Sequence, residues 1–166
     1  MRKITVDLSD AGLRRLIDEL DRTQKDLKRK AQELVDRLAA EGAEIAQWHF
    51  DMAYYVGDNG IVKVDVEPRG DCVSAVVATG DAVLFIEFGA GYLMGYGHPE
   101  PLGYGPGTYP GKGHWDDPNG WWLPKDVQET TGQTKSYGNP PAMAMYNAHK
   151  ELEQRIQQIA QEVFAD

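Results

Sequence analysis

Ala82-Val83-Leu84-Phe85-Ile86-Glu87-Phe88, closed by Gly89-Ala90-Gly91, is the stretch whose reading decides the fold. Its apolar, aromatic and β-branched residues read as a strand, the third of a meander. Ahead of it, Ile61-Val62-Lys63-Val64-Asp65-Val66-Glu67 alternates with period two and places Val62, Val64 and Val66 on one face. Val73 to Thr79 forms a second β-rich run, with Pro68-Arg69-Gly70-Asp71 as the hairpin connector and Gly80-Asp81 before the third run. The expectation is an α+β fold: a small antiparallel sheet of about three to four strands, covered by flanking helices.

The helices are legible on both sides. Ser9 is placed as an N-cap, and Leu13, Leu16, Ile17 and Leu20 follow as an apolar face. Asp21-Arg22-Thr23 marks a break or bend. A longer helix then carries Ala31, Leu34, Val35, Leu38, Ile45, Trp48 and Met52 at spacings of three, four or seven, with Gly42 as a weak point in its continuity. Its outer face alternates sign (Lys25, Asp26, Lys28, Arg29, Lys30, Glu33, Asp36, Arg37), as a solvated helix does and a basic nucleic-acid arm does not. Gly57-Asp58-Asn59-Gly60 ends it. At the other end of the chain, Asn139 is the expected N-cap, Pro140-Pro141 fits a first turn, and Met145, Ala148, Leu152, Ile156, Ile159 and Val163 recur at three and four. The organisation is a single domain over 1–166: a helical region over 1–58, the β-meander over 61–88, a long loop insertion over 89–137 and a C-terminal helix over 138–166.

The insertion shows no sustained period, yet holds Tyr92, Tyr96, Tyr104, Tyr109, Trp115, Trp121 and Trp122. A loop of more than about 15 residues inside a compact domain is uncommon and is usually functional or disordered. Disordered segments are poor in aromatics, so this one is expected to order against something, either its own sheet or a neighbouring molecule.

Composition narrows the function. The 166 residues fit one domain; a hydrophobic share of 42% and a charged share of 26% are ordinary for a soluble protein. No run approaches the 18 or so apolar residues of a membrane span, and Met1-Arg2-Lys3-Ile4-Thr5-Val6-Asp7 lacks the apolar core of a signal peptide, so cytosolic synthesis is expected. Cys72 is the single cysteine and reads as a small core residue. Of the net charge of −9, only −2 falls in residues 1–58. The acidic remainder argues against tight nucleic-acid binding, though not against a surface that nucleic acid slides past.

Catalytic patterns are weak. His98, Glu100, His114, Asp116 and Asp117 lie together in the insertion, and His98, His114 and Asp116 are the residues on which a metal-dependent hydrolase or cell-wall-active enzyme would be built. No pair of histidines has helical spacing, and Asp116, Asp117 and Asn119 read equally well as turn residues around Pro118-Asn119-Gly120. Gly89-Ala90-Gly91 and Gly103-Tyr104-Gly105-Pro106-Gly107 lack the strand, lysine and helix of a phosphate loop. Trp115, Trp121 and Trp122 would serve an aromatic-platform carbohydrate-binding module. Neither an enzyme nor a cofactor is expected.

One combination goes beyond the generic: an amphipathic helical start, a short meander ending Phe85-Ile86-Glu87-Phe88-Gly89-Ala90-Gly91, an insertion, and Gly138-Asn139-Pro140-Pro141-Ala142-Met143-Ala144-Met145-Tyr146-Asn147-Ala148 opening the last helix. This resembles the gene-product-ten-like family of tail-completion (head–tail joining, or neck) proteins of tailed bacteriophages and prophages. Glu87-Phe88-Gly89 is similar to that family's acidic-aromatic-glycine element, and Pro141 and Ala148 to its proline-containing helix start. The insertion replaces a shorter family connection. The resemblance implies a structural virion protein, assembled in the host bacterial cytoplasm, whose copies form a ring, a hexamer by likeness, at the head-proximal end of the tail. Its implied neighbours are the tail terminator or tail tube protein and head-completion or adaptor proteins, with DNA passing through the lumen without tight binding and no membrane involved. The interface residues expected on this basis are Glu87, Phe88, Gly89, Tyr104, Tyr109, Trp115, Trp121, Trp122, Pro141, Met143 and Met145.

Overall fold

A computed structural model of the chain describes residues 5, 7, 9–53, 62–91, 94, 97–99 and 117–165. Its spine is α1 (Asp10–Met52), a single helix of 43 residues and about 65 Å. Ser9 caps it as expected, its hydroxyl accepting from the Gly12 amide. The expected break at Asp21-Arg22-Thr23 does not occur. None of these side chains obstructs a helix, and the Thr23 hydroxyl donates to the Glu19 carbonyl one turn back at 2.8 Å. Gly42 does not interrupt the helix either. There α4 (Ala144–Phe164) packs against it, and a Cβ on Gly42 would lie 2.7 Å from the Leu152 side chain.

α1 and α4 run antiparallel. Ion pairs mark the alignment: Arg37 with Glu162 at 2.6 Å, Glu41 with Arg155 at 3.7 Å, and His49 with Glu151 at 3.1 Å. Alongside them lies the hairpin of β1 (Lys63–Gly70) and β2 (Val73–Thr79), paired from Lys63↔Thr79 to Gly70↔Val73 with an irregularity at Pro68 to Gly70. Two glutamines of α1 clamp it. Gln47 donates to the Val62 carbonyl at 3.1 Å and accepts from the Val64 amide at 2.8 Å, holding the open end. Gln32 accepts from the Cys72 amide at 2.7 Å, holding the turn. Cys72 is therefore a turn residue with φ of 54°, not a core residue within a strand, and the turn falls at Asp71-Cys72 rather than at Pro68 to Asp71.

The third strand is the principal correction. Val83–Phe88 is a helix, α2, and among the described residues β1 and β2 pair only with each other. A short continuous apolar run has no period to separate strand from helix, and tertiary contacts decide it. In the helical form Ala82 and Ile86 stand one turn apart and are both buried, with Phe50, Val62 and Ala144 completing the core around Ile86. The insertion is also not uniformly irregular. Its described end contains β3 (Trp121–Trp122), α3 (Lys125–Thr131) and β4 (Lys135–Ser136), with β3 and β4 paired antiparallel. The chain is thus mixed helix and sheet, with long N- and C-terminal helices and, among the described residues, two small antiparallel sheets of two strands each. Among the described residues no helix is long and apolar enough to cross a membrane.

Candidate functional site

Glu87-Phe88-Gly89 and the segment from Asn139 to Met143 meet face to face. Ala90 and Asn139 form an antiparallel bridge, each amide donating to the other's carbonyl at 2.9 Å. The Asn139 side chain donates to the Phe85 carbonyl at 2.9 Å. Next, the Ala142 and Met143 amides donate to the carbonyls of Ile86 and Glu87 at 2.8 and 3.2 Å, using the carbonyls that the C-terminal end of α2 leaves open. Asn139 is therefore not the N-cap of α4, which begins five residues later.

The cap comes from elsewhere. Met143, at the N-cap position, has no side-chain oxygen to offer and sits at φ of 55°. Glu87 takes its place from 58 residues upstream: its carboxylate accepts from the Met145 amide at 2.8 Å and from the Tyr146 amide at 3.1 Å. A negative charge at a helix N-terminus also meets the positive end of the helix dipole. The Glu87 side chain is only 7% exposed, so this charge is removed from water and compensated by donors.

His98 supplies a third donor. Its Nε2 lies 3.2 Å from the same Glu87 oxygen that Tyr146 binds, and its side chain is 6% exposed. A carboxylate accepts, so the tautomer with the proton on Nε2 is the one that satisfies this contact. The ring packs between Phe88 at 4.4 Å and Tyr146 at 5.6 Å between centroids.

Gly89 closes the junction. Its φ of 79° is a left-handed value, and a Cβ there would stand 2.8 Å from the Pro141 nitrogen and 2.9 Å from the Asn139 carbonyl oxygen. Beside the junction a groove of about 750 Å³ runs between β2, α2 and the first turns of α4. Val76, Ala78, Leu84 and Met145 make its wall mainly apolar, and Glu87, His98 and His149 are its titratable members.

Chemically, this arrangement binds a helix start. With three donors on two oxygens, Glu87 is poorly placed to take a proton from a substrate. Among the described residues no group of three or more His, Cys, Asp or Glu side chains could hold a metal ion. His114 and Asp116, like Tyr104, Tyr109 and Trp115, lie outside the described residues. Of the other expected interface residues, Glu87 and Gly89 are buried in the junction, and Phe88, Pro141, Met143 and Met145 are half-buried around it. Trp121 and Trp122 are neighbours on a strand and so point to opposite sides. Trp121 is half-buried, while Trp122 is 71% exposed beneath the Lys135 ammonium, 5.2 Å from the ring centroid.

Nothing local in the sequence marks Glu87 as a cap, His98 as its partner, or Gln32 and Gln47 as clamps. A capping box is visible because its members are three residues apart; a cap 58 residues away leaves no local trace. The weak available signal was negative, since α4 opens without a Ser, Thr, Asp or Asn at its N-cap. Compared with known protein families, with curated proteins and with solved structures, the chain matches none of them.

Proposed function

We propose that the chain is a structural virion protein of a tailed phage or prophage, acting by assembly and without catalysis. Its copies form a ring, six by family likeness, at the head-proximal end of the tail. The ring touches the tail terminator or tail tube below and head-completion proteins above, and DNA passes through it. The observation that carries this reading is the interlock itself: the Glu87-Phe88-Gly89 element and the Asn139–Met143 segment, on which the resemblance rests, are two halves of one hydrogen-bonded junction. Further support comes from the described end of the insertion, where Trp122 and Tyr137 are exposed at 71% and 49%. Aromatic side chains of this size are what interface cores favour. The net charge of −9 suits a lumen through which DNA moves without adhering.

The test is genetic and visual. A phage or prophage lacking the gene should release filled heads and separate tails, and purified protein added to that lysate should restore joined, infectious particles. Normal joined particles from the deletion would refute the proposal. The hydrolase and carbohydrate-binding alternatives gain no specific observation, since His98 is held by Glu87 and the Trp121–Trp122 pair does not form a flat platform.

A further inference from the structure

α4 ends at Phe164, and Glu162 pairs with Arg37, so the first two dozen or so residues of α1 extend past it. The hairpin reaches no further than Cys72, whose thiol lies 3.9 Å from the Lys28 carbonyl. The projecting part nevertheless keeps an apolar stripe: Leu13, Ile17, Leu20 and Leu27 are 41%, 58%, 51% and 53% exposed. Continued through Gln24 and Ala31, the stripe alternates steps of four and three, the spacing of a coiled-coil seam.

We infer that the cover of this stripe is the same stripe of a second copy, in an antiparallel two-helix pair. Charge selects the orientation and the register. With the two-fold axis between Ile17 and Leu20, Ile17 packs on Leu20 of the second copy and the reverse. Arg14 then faces Asp21 of the second copy, and symmetry makes that ion pair twice. Lys28 comes level with the start of the second helix, where Asp7 and Asp10 stand. Sliding one heptad further would set Asp21 against Asp21 and Arg14 against Lys28. A parallel pair would leave Asp21 beside Leu16 and Lys28 beside Thr23, with no charge matched.

The shape of the molecule fits this register. A groove of about 530 Å³, lined by Leu20, Leu27, Ala31 and Cys72, lies where α1 meets the hairpin turn. Leu13 of the second copy lands level with Gln24, over that groove, and the second helix begins at Asp10 just short of the turn. The overlap covers about 27 Å of helix. The pair is isologous and closes at two copies, whereas a ring needs a heterologous contact, so this surface is independent of the tail-completion reading.

Sedimentation of the full chain over a wide concentration range tests the pairing. In free solution, away from phage particles, the mass should rise to twice the 18.5 kDa of one chain and stop there. Ile17→Asp would bury two unpaired carboxylates and should raise the dissociation midpoint by at least about 100-fold, with unchanged helix content by circular dichroism. Arg14→Asp should weaken the pair about tenfold, and adding Asp21→Arg to the same chain should restore it, because the swapped charges meet again. A monomer at every concentration would overturn the inference. So would a dimer or ring indifferent to Ile17→Asp, or an Arg14→Asp defect that Asp21→Arg leaves unrelieved.

Discussion

The junction between Glu87 and Met143 and the projecting start of α1 are opposite solutions to the same problem. At the junction, carbonyls, amides and a buried carboxylate are paired across 50 to 60 residues of sequence, and the apolar residues Ile86 and Ala144 are 0% exposed. Along the first part of α1, the backbone is satisfied within the helix and four large apolar side chains stand largely in water. The first region fixes the fold. The second contributes little to it and leaves its apolar surface open.

The contrast is broken most severely at Glu87. Glu87→Ala would leave the Met145 and Tyr146 amides and the His98 ring without their acceptor, and should cost about 3 kcal/mol in urea unfolding, combining a lost cap with buried unsatisfied donors. Gly89→Ala comes next. It adds a left-handed φ to a contact with backbone that cannot yield, for about 2 kcal/mol or more. Gln47→Ala, which frees the Val62 carbonyl and the Val64 amide, should cost about 1–2 kcal/mol. Ile17→Asp should leave monomer stability within about 0.5 kcal/mol, however strongly it affects association. Unfolding of all four by urea, at a concentration where the chain is monomeric, places the two regions on one scale.

Two smaller effects sharpen the picture inside the fold. Gly42→Ala puts a Cβ against the flexible end of Leu152 while gaining about 1 kcal/mol of helix propensity, so the net change in unfolding free energy should be near zero. The smallest effect is a pH dependence at the α1–α4 contact. Hydrogen bonds from Arg37 and then Gln158 hold the Glu162 carboxyl below the usual carboxylate range. A depressed native value means stabilisation that is present above the unfolded-state value and lost as pH falls through the folded one. Arg37→Met should therefore lower the melting temperature slightly at neutral pH, and the difference from the parent should vanish in acid. The contact is exposed, so the effect is small.

What the sequence reveals follows from how local each cause is. The Ser9 cap, the apolar faces of α1 and α4, and the alternation in β1 act within a few residues and can be read directly. Val83–Phe88 looks like a strand because its residue types favour one. It is a helix because Ile86 must enter the core while Glu87 reaches the start of α4, a demand arising 58 residues away. Asn139 looks like a cap for the same reason in reverse: its side chain suits a helix start, but here it is used by Phe85. Asp21-Arg22-Thr23 looks like a break because polar residues interrupt the apolar spacing. In a helix whose surroundings there are solvent, polar residues carry no cost. In the candidate site, the flanking motifs of the insertion were legible as separate elements, and their contact was not.

We propose that copies of this chain form a ring in a phage neck. A reconstruction of the head–tail junction of particles carrying the gene tests it most directly. The expected result is a ring of identical subunits in which each copy shows a helix of about 65 Å beside a shorter antiparallel one. Joined particles whose junction contains no such subunit would contradict it.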